Sequence, residues 1–245
     1  MSLEGKTAVV TGAAGTLGLA AARALLEQHA HVALVDQDAM RLDSLSRFLR
    51  GTVMAVASDV SDPGAVRDAL ARIEATAGPV DILVNAASVA SAERSDTLTE
   101  LEWRRIFAVN VEGAFSWSRA VLPGMKRRRW GRIVNVGSVA AKAALAEAGP
   151  AFSVSKAALQ ALTFALAREG APHGVTVNAV APAFVKSREL EEMHDAQRRQ
   201  LLAQVPLGRF CEPDEFGHAV AFLASPLAGF ITGEVLDVNG GLHMD

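Results

Sequence analysis

Short, continuous runs of β-branched and aliphatic residues recur along this chain, each followed by a longer segment of helical period. That alternation constrains the fold more than any other feature of the sequence. The runs lie at 7–11, 31–36, 53–57, 82–85, 131–136, 175–180 and 234–238. They suit strands buried on both faces of a parallel sheet, since a strand with one wet face would alternate apolar and polar residues. Helical segments fall at 17–28, 63–77, 100–125, 155–169 and 213–224. Parallel neighbours need right-handed crossovers, which these helices supply. The pattern predicts an α/β fold of the doubly wound, Rossmann-like kind, with about seven parallel strands flanked by helices. In the last helix Pro213 takes a first-turn position beside Asp214 and Glu215, matching the positive helix N-terminus.

A chain of 245 residues, half of them hydrophobic and 21% charged, can bury a sizeable core. No repeat, low-complexity tract or linker divides it, so one domain is expected over 1–245. The formal net charge of −3 argues against a non-specific nucleic-acid binder. No run of about 18 apolar residues suggests a transmembrane helix. The N-terminus enters a strand without a preceding signal segment. The single cysteine, Cys211, excludes an internal disulfide framework and reads as a packing or surface residue. A cytoplasmic protein with neither membrane nor nucleic-acid partner is expected. His29, His31, His173, His194, His218 and His243 lack metal-ligand spacing, so no metal is expected. The basic run 126–129 reads as a solvated patch. The charged stretch 183–212 is either a solvated helical excursion or a mobile lid over a substrate.

The first strand runs straight into Thr11-Gly12-Ala13-Ala14-Gly15-Thr16-Leu17-Gly18 and then an alanine-rich helix. Glycines here let the backbone turn tightly and approach a pyrophosphate, while the helix N-terminus directs free N–H groups and a positive dipole at the phosphates. The strand–turn–helix setting is what makes three glycines meaningful. The second strand ends at Asp36, 18 residues beyond Gly18. A carboxylate there can accept from both adenosine ribose hydroxyls and would repel a 2′-phosphate, so NAD(H) is preferred over NADP(H).

With these residues in hand, the chain resembles the short-chain dehydrogenase/reductase family along essentially its whole length. Thr11–Gly18 is similar to that family's cofactor turn, with Gly15 one place early and Thr16 at the middle glycine's position. Asp59-Val60 resembles the pair that contacts adenine. Asn85-Ala86-Ala87 resembles the Asn-Ala-Gly strand end. Asn110 resembles the helix asparagine that supports the active site through a water. Asn135-Val136-Gly137-Ser138 resembles the strand carrying the catalytic serine. Pro182-Ala183-Phe184-Val185-Lys186-Ser187 is similar to the segment lining the nicotinamide pocket, and 230–241 to the last strand. The resemblance implies cofactor contacts from Gly12, Gly15, Thr16, Leu17, Gly18, Asp36, Asp59, Val60, Asn85, Lys156, Pro182, Val185 and Ser187. It also implies a homotetramer, or a dimer, built partly from the helix at 100–125 and the C-terminal strand.

The family signature is Tyr-x-x-x-Lys, and here the corresponding stretch reads Phe152-Ser153-Val154-Ser155-Lys156, 14 residues beyond Ser138. The resemblance implies a catalytic set of Asn110, Ser138, Phe152 and Lys156 in which the phenol that would carry the proton is absent. The whole chain has no tyrosine, against ten phenylalanines. Three readings stay open. The chain is an oxidoreductase acting on a small alcohol/carbonyl pair, an activated carbonyl or a quinone, its proton coming from a water held by Lys156 and Asn110 or from Ser138. Alternatively it is a non-catalytic NAD(H)-binding scaffold or sensor, or an engineered inactive variant. His194 is the one histidine worth testing as a substitute acid.

Overall fold

The computed structural model describes residues 2–143, 145 and 147–244. Seven strands, β1 (Thr7–Thr11), β2 (His31–Asp36), β3 (Val53–Ala57), β4 (Val80–Asn85), β5 (Gly131–Val136), β6 (Val175–Pro182) and β7 (Val235–Val238), form one sheet. Their order is β3-β2-β1-β4-β5-β6-β7 and every pairing is parallel. The chain winds outward from β1 to β3, then returns to β4 and winds the other way. The carboxyl ends of β1 and β4 therefore flank a crevice, the usual ligand position in such sheets. β1, β4, β5 and β6 are buried throughout, as their unbroken apolar runs predict, whereas the edge strand β7 is half-buried.

Two apolar layers cover the sheet. One packs α1 (Thr16–Glu27) and α2 (Ala39–Phe48) with the helix Pro213–Ala224 of the C-terminal part, through Ala20, Leu25, Leu42, Phe216 and Val220. The other packs α3 (Pro63–Ala77) through Ile73 against Trp117, Met125 and Leu166.

The structure departs from the sequence pattern where a side chain is needed in a particular place. The helix expected over 100–125 is α4 (Glu100–Phe107), a π-helical turn (Ala108–Gly113) and α5 (Ala114–Arg128). A π turn holds an extra residue and rotates the helix beyond it, and such turns gather at functional sites. Here it carries Asn110, which is 1% exposed. The helix expected from 155 begins five residues earlier, as α6 (Pro150–Gly170), with Pro150 in its first turn. The stretch 183–212 holds α7 (Arg188–Glu191) and α8 (Asp195–Leu202), and α9 (Pro213–Ala224) comes directly after it. Leu190, Leu201 and Phe210 form a small core of their own, with Phe184 packed against it. The excursion is therefore helical and packed.

Candidate active site

The turn after β1 is built by steric necessity at two of its three glycines. Gly12 has φ +63°, and a Cβ there would stand 2.6 Å from the backbone of Ala87. A Cβ on Gly18 would stand 2.2 Å from the Gly12 carbonyl oxygen. Gly15 has an extended conformation and carries no such constraint. Thr11 Oγ1 accepts from the backbone N–H groups of Ala86 (3.1 Å) and Ala87 (3.2 Å), tying the turn to the end of β4. Thr16 and Leu17 open α1, whose first N–H groups face the crevice end of the sheet.

Asp36 closes β2. Its Oδ2 accepts from the backbone N–H of Ala14 (3.0 Å) and its Oδ1 from that of Asp38 (3.1 Å), so the carboxylate is oriented by the turn itself. It lines a cavity of about 290 Å³ together with Gly12, Ser58, Asp59, Val60 and Arg105. Asp59 Oδ1 accepts from the backbone and hydroxyl of Ser61 (2.8 and 2.7 Å), which fixes the loop after β3.

A second group of residues gathers at the ends of β5 and α6. Ser138 Oγ accepts from the backbone N–H of Ala140 at 3.1 Å, which leaves its own proton free to donate. Lys156 is 2% exposed, and its Nζ donates to the Val136 carbonyl at 2.8 Å. Burial pushes this ammonium down to about 8. Phe152, half-buried, lies one helical turn before it, with Nζ 5.6 Å from the ring centroid.

The Asn110 side chain makes three hydrogen bonds to protein groups. Its Oδ1 accepts from the Val89 N–H (2.8 Å), and its Nδ2 donates to the Val89 carbonyl (3.0 Å) and to Ser155 Oγ (3.0 Å). Ser155 Oγ in turn donates to the Phe152 carbonyl at 2.7 Å. The asparagine thus clamps the segment after β4 to the first turn of α6. Asn85 points into the core: its Nδ2 donates to Asn135 Oδ1 (2.8 Å) and Ser118 Oγ (3.2 Å), and Asn135 Nδ2 continues to Thr163 Oγ1 (2.9 Å). It braces β4 against β5 beneath the site.

The remaining residues expected in the site lie beyond β6. Pro182 ends that strand, buried beside Val238. Val185 forms a bridge with Cys211, and Ser187 Oγ accepts from the Leu190 N–H as the cap of α7. A larger cavity, about 470 Å³, opens there among Phe184, Val205, Leu207, Cys211, Asp237 and Asn239. Gln204 Nε2 donates to Glu147 Oε1 at 3.2 Å, which ties Glu147 to this region. Ala144 and Ala146, in the stretch 142–150 between Ser138 and Phe152, lie outside the described residues. His194 caps α8, its Nδ1 accepting from the Ala196 N–H at 3.3 Å. Among the described residues no group of histidine, cysteine or carboxylate side chains has metal-binding geometry, and no helix is long and apolar enough to cross a membrane.

Residues 12–243 match the family model described as enoyl-(acyl carrier protein) reductase. The chain belongs to the short-chain dehydrogenase/reductase family. It is 42% identical to a 3-oxoacyl-[acyl-carrier-protein] reductase of Vibrio cholerae, over the full length of both chains. It is 40% identical to a galactitol 2-dehydrogenase (L-tagatose-forming) of Cereibacter sphaeroides, covering 98% of this chain and 95% of the other. The crystal structure of a 3-oxoacyl-[acyl-carrier protein] reductase from Brucella melitensis superposes with a TM-score of 0.94 at 31% identity, covering 100% of this chain and 93% of that one. The family is one of oxidoreductases that bind a nicotinamide cofactor. The two sterically forced glycines, the oriented strand-end carboxylate and the cavity between them are chemically suited to such a group.

Three features of the site escaped the sequence pattern. Arg105 reaches the cavity from α4, Ser58 lines it from the end of β3, and Ser155 links Asn110 to α6. For Ser155 a signal existed, since it lies inside the Phe-x-x-x-Lys stretch. Arg105 and Ser58 carry no local motif.

Proposed function

We propose that this chain is an NAD(H)-dependent oxidoreductase of a small alcohol/carbonyl pair, or of an activated carbonyl or quinone. In this reading its acid/base step is altered because Phe152 occupies the place of the family's tyrosine. Asp36 carries the cofactor reading. Its carboxylate, held at the cavity by Ala14 and Asp38, offers acceptors to ribose hydroxyls and repels a 2′-phosphate. The named relatives, a 3-oxoacyl reductase and a polyol dehydrogenase, both interconvert a carbinol and a carbonyl.

When bound, the nicotinamide would supply or accept the hydride. The protein must then bind the substrate oxygen and move one proton. Ser138 keeps a free donor for that oxygen. Lys156 has three N–H donors and spends one on Val136, leaving two for the ribose and for a proton path. Asn110 has both amide hydrogens and one oxygen lone pair committed to Val89 and Ser155, so its side chain positions α6. The Lys156 ammonium, held at Val136 with the Phe152 ring 5.6 Å away and brought down to about 8 by burial, is the group assigned to deliver the proton. Phe152 contributes an apolar wall.

The test is NADH oxidation against a panel of ketones, 3-oxoacyl thioesters, ketoses and quinones. Turnover on any of these supports the enzyme reading. Tight NADH binding with no turnover across the panel would favour the scaffold reading instead. Asp36→Ala should lower the NADH-over-NADPH preference by about tenfold, by removing both ribose acceptors and the repulsion. An unchanged ratio of dissociation constants would remove Asp36 from that role.

The reading extends to a homotetramer or dimer. Phe115 on α5 and Phe164 on α6 are 42% and 51% exposed, and β7 is half-buried at an open sheet edge. Light scattering coupled to gel filtration should find a mass of at least two chains; a single-chain mass at micromolar concentration would refute it.

A further inference from the structure

We propose that Ser155 is a positioning residue of the acid/base site, the hydroxyl through which Asn110 and the π turn hold the first turn of α6 in place. This rests on the reading that Phe152 and Lys156 flank the point where the proton moves.

Ser155 is buried and its hydroxyl is used twice. It accepts from Asn110 Nδ2 at 3.0 Å and donates to the Phe152 carbonyl at 2.7 Å. A helical serine that bonds back to a carbonyl of the preceding turn is ordinary, and alone it only bends the helix. Here the same oxygen is also gripped from another element. Asn110 is itself held by the Val89 backbone, accepting from its N–H (2.8 Å) and donating to its carbonyl (3.0 Å). The far end of the π turn is pressed against the loop after β3, where a Cβ on Gly113 would stand 2.8 Å from Val60 Cγ2. The turn is thus fixed from two sides, and Ser155 is the side chain by which it grips α6.

What the grip fixes follows from helix geometry. Phe152 and Lys156 stand one turn apart on the same face of α6. The carbonyl that Ser155 pins is also the one that the Lys156 backbone N–H faces along the helix. Ser155 therefore sets the turn from which both side chains leave. Lys156 Nζ then meets the Val136 carbonyl at 2.8 Å, with the ring centroid of Phe152 5.6 Å away. Burial holds this amine at about 8, and among the described residues no carboxylate pairs with it. Its titration thus reports how tightly the turn is closed. A looser turn admits water, which favours the ammonium and moves the midpoint back toward 10.5.

The test is a pH titration of the full chain by NMR, with lysine labelled at Cε and Lys156→Met used to assign the signal. Ser155→Ala should raise the Lys156 midpoint by about half a pH unit, the scale of one lost hydrogen bond. Ser155→Cys, which fills the space but bonds weakly, should behave like the alanine variant. Ser155→Thr keeps the oxygen and should restore the parent midpoint. In a Phe152→Tyr chain, adding Ser155→Ala should lower kcat by about 10-fold while Kd for NADH stays level. Asn110→Ala should shift the Lys156 midpoint in the same direction, and the double variant no further than either single one. A lower melting temperature with the Lys156 midpoint unmoved would make Ser155 merely structural and overturn the proposal. So would a moved midpoint with kcat unchanged in a tyrosine chain that turns over. If neither the parent nor the tyrosine chain turns over any substrate, the enzyme reading falls, and the titration alone decides whether Ser155 positions this turn.

Discussion

Phe152→Tyr is expected to raise NADH-dependent reduction of ordinary ketones by about 10²–10⁴, the usual contribution of a positioned general acid. The backbone needed for it is already in place. Phe152 lies in the first turn of α6, its carbonyl held by Ser155, and Ser155 held by Asn110. The ring is half-buried with the Lys156 ammonium 5.6 Å from its centroid. A phenol there would lie in the field of a cation, which favours its ionised form and brings its pKa down toward the working range. NADH affinity should stay unchanged, since the substitution adds one oxygen to a side chain outside the adenosine cavity. The pH profile should also differ. In the chain as it stands, reduction draws on protonated Lys156 and should fall above about pH 8, where that group loses its proton. In the tyrosine variant the phenol becomes the donor and the limb should move. A gain below about threefold on every ketone, with the fold and NADH binding intact, would sink the proposal that the missing phenol is what limits the acid/base step of this site.

The parts of the fold legible in the sequence are those set by local pattern. The inner strands stand out because a strand buried on both faces has no polar alternation to confuse it, the partly buried edge strands β3 and β7 because their short runs are mostly aliphatic, and the turn at Gly12 and Gly18 is legible because nothing but glycine fits there. The π turn is not legible. Residues 100–125 keep a helical period throughout, and the extra residue exists to aim Asn110 at Val89 and Ser155, contacts that join segments 21 and 45 residues apart in sequence. α2 is hidden for a different reason: only Leu42 is buried, so its apolar stripe is thin. Asn85 looks like a site residue in sequence because it ends a strand at the crevice. Whether its side chain turns outward or into the core depends on Asn135 and Ser118, which belong to other elements. The same limit applies to Ser58 and Arg105, whose shared cavity is made by tertiary packing.

Lys156 gives the second large effect, on stability. Its ammonium is buried with one carbonyl for company, and its pKa falls from 10.5 to about 8. The folded state therefore binds this proton less tightly than the unfolded chain does. Below pH 8 both states are protonated, and the full cost of burying the charge, about 3 kcal/mol, weighs against folding. Between pH 8 and 10.5 the folded protein has released the proton while the unfolded chain still holds it, so stability rises with pH across that window. Lys156→Met removes the charge and keeps an unbranched apolar stem, but leaves the Val136 carbonyl without its donor, at about 1 kcal/mol. The variant should then be more stable than the parent by about 2 kcal/mol in apo form at pH 7, with the advantage fading toward pH 10. Urea denaturation at a series of pH values measures it. The same variant should lose turnover and weaken NADH binding, since the desolvation that burdens the apo fold is what tunes this amine for proton transfer. Equal or lower stability at pH 7, with a difference that stays flat to pH 10, would mean that the ammonium is solvated. Its role as the proton source would then fall with it.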